Sequence, residues 1–131
     1  MAPVFRLYRF SDEDVVWWRL VSLNGRGIAR VAAPLESPEA ALVSIERARA
    51  AVATDDLQPL LRLTPAYRWQ WLLTLDGEPV VQGIGDHDRR VRCEDACQKF
   101  VNLAPAADVD GTVATFRRTG VPTTSSRRAR T

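Results

Sequence analysis

The feature that most constrains the fold is a segment that occurs twice in the chain. The stretch WWRLVSLNGRGIAR, which begins at Trp17, aligns without gaps with WQWLLTLDGEPVVQ, which begins at Trp69. The alignment places Asn24-Gly25 over Asp76-Gly77, and it matches one tryptophan and two leucines as well. A repeat of this size indicates a supersecondary unit that is used twice.

Each copy contains the sequence of a β-hairpin. Asn-Gly and Asp-Gly between apolar segments are strong hairpin signals, because a type I′ turn needs positive φ at both central residues. Alternating apolar residues on either side of each dipeptide predict the two strands of the hairpin. A further strand precedes each hairpin, at residues 4–10 in the first copy and 60–63 in the second.

A helix is predicted after each hairpin. Ser37 is a favourable N-cap, Pro38 suits the first helical position, and Glu39 suits the positive end of the helix dipole. Apolar residues then recur at helical spacing, at Ala41, Leu42, Ile45, Ala48 and Val52. The second helix is predicted over residues 92–103, with a stripe of Cys93, Ala96, Cys97, Phe100, Val101 and Ala104. Residues 112–116 predict a closing strand.

These elements predict one α+β domain over residues 1–116. It consists of two tandem β-β-β-α-(β) repeats, at about 4–54 and 57–116, which share one antiparallel sheet. Neither unit can bury its sheet face and its helix stripe alone, so we expect both helices to pack on one face of the shared sheet.

The tryptophans of the repeated segment are the candidate binding residues. Strand alternation places Trp17 and Arg19 on one face, Trp69 and Trp71 on the matching face of the second copy, and Trp18 on the opposite face. Two helices cover only one face, so at least one tryptophan lies near solvent. Neighbouring side chains shield it, or it belongs to a patch that binds a partner. The candidate partner-binding residues are Trp17, Trp18, Arg19, Trp69 and Trp71.

The charge of the chain is distributed unevenly. The formal net charge is +2, but residues 117–131 contain five arginines and no acid. Removing these five from the 18 basic residues leaves 13 basic against 16 acidic side chains in residues 1–116. The tail has the composition of a disordered segment. It is either silent or a contact for nucleic acid through Arg117, Arg118, Arg127, Arg128 and Arg130.

No residue pattern points to catalysis. Cys93 and Cys97 are interpreted as small buried residues of the second helix, and His87 is the only histidine. We therefore expect no enzyme activity, no metal and no cofactor. No apolar run approaches the roughly 18 residues that a membrane span needs, and no signal peptide is recognisable, so the expected location is the cytoplasm.

The first copy resembles the YegP-like family of small proteins. The resemblance lies in Trp18-Arg19-Leu20, Ser22, Asn24-Gly25 and Ile28-Ala29, and FRLYRF is similar to the first strand of that family. It covers residues 4–54 well and 57–116 loosely. The family implies a β-β-β-α-β unit used twice, with one shared sheet and exchanged closing strands. Its biochemical function is unknown, so it implies no active site.

Two functions follow as hypotheses. In the favoured one, the chain is a non-catalytic interaction or structural module that binds a protein partner or a second copy through its sheet surface. In the alternative, it is a nucleic-acid-associated accessory protein that uses the arginine-rich tail.

Overall fold

The computed structural model describes residues 2–117. Within them the chain forms seven strands and two helices, in the order β1 Val4–Phe10, β2 Trp17–Val21, β3 Gly27–Val31, α1 Pro38–Ala53, β4 Gln58–Leu63, β5 Trp69–Leu75, β6 Glu78–Gly83, α2 Arg90–Leu103 and β7 Asp108–Phe116. A short 3₁₀ turn at Ala104–Ala106 joins α2 to β7.

All seven strands form a single sheet in the order β4-β5-β6-β3-β2-β1-β7. The prediction of an antiparallel sheet is wrong in one respect, because β7 runs parallel to β1 and the sheet is mixed. Only a tight hairpin forces two strands to be antiparallel. The chain reaches β7 through α2 instead, and it enters the sheet beside the start of β1, where the Asp108 N–H donates to the Pro3 carbonyl (2.9 Å).

Both helices pack on one face of this sheet, as expected. Trp18 of β2 is fully buried there, and its indole Nε1 donates to Ser44 Oγ of α1 (2.9 Å). Trp71 of β5 packs against Phe100 of α2, with their ring centroids 5.7 Å apart. The core therefore lies between the helices and this face, called here the helix face.

The helices begin much as the sequence predicts. The Ser37 hydroxyl accepts a hydrogen bond from the Ala40 N–H (3.0 Å), which confirms the N-cap of α1. The second helix begins at Arg90, two residues before its predicted start. Leu42 was predicted to be in the core, but it is exposed, and Ala51 is buried instead.

The two hairpin turns differ, although their sequences align. Asp76 and Gly77 have φ of 51° and 83°, which confirms the type I′ turn there. In the first hairpin only Gly25 has positive φ, so the predicted type I′ turn is wrong. Gly25 N–H donates to the Ser22 carbonyl (2.9 Å), and Ser22 N–H donates to the Arg26 carbonyl (2.8 Å). These bonds define a three-residue loop, one residue longer than the second turn.

That extra residue changes which side chains face the helices. Trp18 and Trp71 are both buried on the helix face. In the ungapped sequence alignment, however, Trp71 is aligned with Arg19 and not with Trp18. Two isolated bridges beyond the strands, Val16–Leu35 and Trp69–His87, show the same one-residue shift. Trp69 follows Val16 by 53 residues, whereas His87 follows Leu35 by 52. The predicted match of Trp17 and Arg19 with Trp69 and Trp71 is therefore wrong, because one inserted residue moves a strand to its other face.

Candidate functional site

The face of the sheet opposite the helices is the candidate site, and it is called here the open face. Each strand alternates, so the neighbours of buried helix-face residues point to it. Trp17 and Arg19 of β2 flank the buried Trp18, and both are half-buried on the open face. Neither helix covers this face.

A row of paired residues crosses the open face from one edge of the sheet to the other. The strand register pairs each member with the next one across the sheet, so that they lie side by side. In order across the sheet they are Leu60, Leu72, Gln82, Arg30, Arg19, Arg6 and Asp110. Its centre consists of three adjacent arginines, Arg30, Arg19 and Arg6, on the neighbouring strands β3, β2 and β1. This set is called the arginine row below.

Directly opposed like charges destabilise a sheet, so the arginine row needs compensation. Arg6 has a carboxylate partner, Asp110, at 3.1 Å. Arg19 and Arg30 take part in none of the ion pairs formed within residues 2–117. Two central guanidinium groups thus lie side by side, and no acid of the described residues is in ion-pair contact with either.

Aromatic rings supply part of the compensation. The Arg19 guanidinium lies 5.4 Å from the ring centroid of Tyr8 and 5.6 Å from that of Phe116. The Arg30 guanidinium lies 5.3 Å from the Trp17 ring, which also stacks with Tyr8 at 6.5 Å and 16°. Ring quadrupoles attract cations, so these contacts hold both guanidinium groups in place without neutralising their charge.

The environment of Arg19 is partly desolvated. Its Nε atom is buried and has no hydrogen-bond partner within residues 2–117. Burial also raises the pKa of the neighbouring Tyr8 phenol, an effect that the nearby Arg30 and Arg19 charges oppose. The phenol therefore remains protonated at neutral pH and can donate a hydrogen bond.

A groove of about 450 Å³ lies on the open face, where Arg19, Arg30 and the aromatic rings of Tyr8 and Phe116 line it. Its polar walls are the side chains of Tyr8, Arg19, Arg30, Gln70 and Gln82, and no carboxylate from the described part of the chain lines it. Guanidinium, amide and phenol groups are hydrogen-bond donors, so this groove is suited to an anion. A slightly larger groove of about 490 Å³ lies beside α1, but its walls are almost entirely aliphatic and it lacks convergent polar groups.

Two of the five predicted partner-binding residues lie on the open face. Trp17 and Arg19 are both part of the arrangement described above. Trp18 and Trp71 are core residues of the helix face, with 0% and 2% exposure. Trp69 is half-buried beside α2, where the Arg90 guanidinium lies 5.5 Å from its ring.

Sequence reasoning missed the other members of the site. Tyr8 and Arg6 come from β1, Arg30 from β3, and Gln82 from β6. The alternation in residues 4–10 indicates that Arg6 and Tyr8 share a face. Their meeting with Arg19 and Arg30 depends on strand order and register, for which the sequence carried no direct signal.

The remaining candidate groups contribute no further site. Arg117 is exposed at the end of β7, while Arg118, Arg127, Arg128 and Arg130 lie outside the described residues. In residues 2–117 no three or more histidine, cysteine or acidic side chains are grouped as a metal site would require. None of the helices in this part of the chain is long and apolar enough to cross a membrane.

Cys93 and Cys97 are free, buried thiols, as the sequence indicated. Burial raises the pKa of both thiols, and it raises that of Cys97 to about 11 with a smaller contribution from Cys93.

The folded protein holds these protons to higher pH than the unfolded chain does, so high pH favours unfolding. Stability should be intact below the ordinary thiol pKa of 9.0 and fall as pH rises toward about 11. Urea unfolding across this range tests the expectation. In Cys97→Ala the decline should be smaller, and an equal decline would contradict it.

Comparisons with known proteins identify the fold. No family model matches the chain, and no curated protein matches it significantly. The solution NMR structure of YegP from E. coli, a protein of unknown function, superposes with a TM-score of 0.66 at 15% identity, over 92% of this chain and 97% of that one. A UPF0339 protein from Shewanella oneidensis, also solved by NMR, superposes with a TM-score of 0.67 at 10% identity, over 89% and 93% of the two chains. Likeness at these identities shows the fold alone. The chain has a YegP-like fold.

Proposed function

We propose that the chain is a non-catalytic binding module that docks a protein partner or a second copy through its open face. The observation that carries the proposal is the pair Arg19 and Arg30, which lie side by side without an acidic partner in ion-pair contact within residues 2–117. Tryptophan, tyrosine and arginine are the residues most enriched at the energetic centres of protein interfaces, and all three types meet here.

The chemistry of the groove supports binding rather than catalysis. Among residues 2–117, no cysteine, serine, histidine or carboxylate lines it, and the raised pKa of its one phenol, Tyr8, disfavours the nucleophilic phenolate. Arginine stays protonated in proteins, so it does not serve as a general base at neutral pH. The guanidinium groups of Arg19 and Arg30, which lie against aromatic rings, are therefore suited to bind and position an anion.

Affinity capture from native lysate with wild type and three variants tests the proposal. Trp17→Ala and Arg19→Gln alter the open face, whereas Arg92→Gln removes an arginine from the exposed surface of α2 and serves as the matched control. We expect a dominant partner, or a second copy, to be retained by wild type and Arg92→Gln and lost by both open-face variants. Identical capture by all four proteins would overturn the proposal.

The alternative function, an accessory protein of nucleic acid, has support in the charge of residues 117–131, which contain five arginines and no acid. The same capture distinguishes it. A mixture of proteins that disappears after nuclease treatment, irrespective of the open-face substitutions, would favour the tail as the functional element.

We also propose that the fold arose from two tandem repeats. The order of three strands followed by a helix occurs twice, and the isolated bridges Val16–Leu35 and Trp69–His87 occupy corresponding places in the two halves. A cytoplasmic location completes the proposal, since two free thiols suit a reducing compartment.

A further inference from the structure

We propose that the groove over the arginine row binds an acidic segment of a protein partner, with a carboxylate held between the guanidinium groups of Arg19 and Arg30. This inference rests on the proposed function and specifies the chemistry of the partner. The two arginines are a directly opposed pair on β2 and β3, so their Cβ atoms are separated by about 5 Å. One carboxylate, with its two oxygens, can accept hydrogen bonds from both groups at that spacing.

The electrostatics of the row favour an anionic ligand. Two opposed guanidinium groups repel each other in the free protein, and an anion between them turns that repulsion into two charge-assisted hydrogen bonds. The Nε of Arg19 is buried and has no hydrogen-bond partner among the described residues, so part of this group is withdrawn from water. Charge-assisted bonds are stronger in such a site than on an exposed surface.

The walls of the groove fit a peptide segment. Gln70 and Gln82 offer side-chain amides that can bond both to a carboxylate and to a peptide backbone. Gly85 has no side chain to obstruct the groove that it lines, and no atom lies within 4 Å of where its Cβ would be. Trp17 and Phe116 supply apolar surface beside the cations, which is the combination found at interface anchors.

A platform for stacked nucleic-acid bases is a poorer fit. The Trp17 ring already contacts the Arg30 guanidinium at 5.3 Å and stacks with the Tyr8 ring at 6.5 Å. Tyr8 is likewise occupied by Trp17 and Arg19, so neither ring is free for stacking.

A second copy docked face to face is a poorer fit as well. A two-fold interface brings the same patch of both copies together. The arginine row would then meet an identical row, and Asp110, the acid beside Arg6, is already paired with it. Opposite charge must therefore come from a different surface.

Titration of the full chain with a capped hexaglutamate peptide, followed by heteronuclear NMR, tests the inference. Capped hexaglutamine and hexathymidylate at the same ionic strength are the comparison ligands. We expect saturable binding of hexaglutamate that exceeds binding of either comparison ligand. Arg19→Gln and Arg30→Gln should each weaken it by about 10-fold or more, because truncating one member of a partly buried charge pair is costly. Arg92→Gln should change it by less than about 2-fold, as an exposed charge contributes little.

Several outcomes would overturn the inference. The first is that hexaglutamate does not bind. The second is that it binds wild type, Arg19→Gln and Arg30→Gln equally. The third is that hexathymidylate binds more tightly than hexaglutamate. Dispersed NMR spectra of the variants exclude unfolding as the cause of any loss. If hexaglutamate fails while a lysate partner is still lost on Arg19→Gln, the open face binds a partner of other chemistry and the proposed function stands. If both experiments fail, both proposals fall.

Discussion

Trp18→Ala is expected to lower the free energy of unfolding by about 3–5 kcal/mol, the cost of truncating a large aromatic side chain in a packed core. Trp18 is fully buried and makes an edge-to-face contact with Phe5, at 5.4 Å between ring centroids. The substitution also leaves the Ser44 hydroxyl without its indole donor. Domains of this size have about 5–15 kcal/mol in total, so much of the stability would be lost. Urea denaturation followed by circular dichroism measures the change.

Trp17→Ala is the matched control, since the two tryptophans are adjacent in sequence and differ in the face they occupy. The half-buried Trp17 contributes ring and cation contacts, so its loss should cost only about 1–2 kcal/mol. Ser44→Ala should cost about 1 kcal/mol, which separates the hydrogen bond from the packing. If Trp17→Ala destabilised the protein as much as Trp18→Ala, the assignment of the two faces would be wrong.

Gly83→Ala is expected to have the second largest effect on stability. It should lower the free energy of unfolding by about 1–3 kcal/mol, the usual cost of overpacking a core. A Cβ atom at this position would lie 2.3 Å from Trp71 Nε1 and 2.5 Å from Trp71 Cε2. The indole has little room to withdraw, because it is 2% exposed and packs against Phe100. Thermal and urea unfolding of the variant measure the loss.

Gly111→Ala provides the control for this prediction. No atom lies within 4 Å of a Cβ at Gly111, so its stability should change by less than about 1 kcal/mol. The clash can also be relieved by a second change, Trp71→Phe. The double variant should be less destabilised than the sum of the single variants, with a coupling of about 0.5–3 kcal/mol. Strict additivity of the two free-energy changes would mean that the side chain added at position 83 does not clash with Trp71.

The local elements of the fold were predictable because local chemistry determines them. The Ser37 cap, the Asp76-Gly77 turn and the strand over residues 4–10 each depend on a few neighbouring residues, and all three are present. The direction of β7 was not predictable from such signals, because a strand reached through a helix has no hairpin to fix its orientation.

The face assignment failed for a subtler reason. Asn24-Gly25 and Asp76-Gly77 look equivalent, yet the Asn24 side chain accepts hydrogen bonds from the Ser22 hydroxyl and the Arg26 N–H within a longer loop. Asn24 therefore does not adopt positive φ, and the loop gains a residue. Because side chains alternate along a strand, that single residue decides which tryptophan of the first copy is in the core.

The candidate site could be predicted only in part for a related reason. Trp17 and Arg19 stood out because aromatic and arginine residues are neighbours in the sequence. The pairing of Arg19 with Arg30 and Arg6 joins three strands, and it appears only when the register of the sheet is known. The sequence contained the residues of the site, but their arrangement is a property of the sheet.

We assign stability to the helix face and binding to the open face. The most direct test is a residue-by-residue map of NMR shift changes in the wild-type chain as capped hexaglutamate is added. We predict that the largest changes fall on the Trp17 indole, on the Arg19 and Arg30 side chains, and on the amides of β2, β3 and β6. Changes concentrated on α1 and α2, or confined to residues 117–131, would contradict the account.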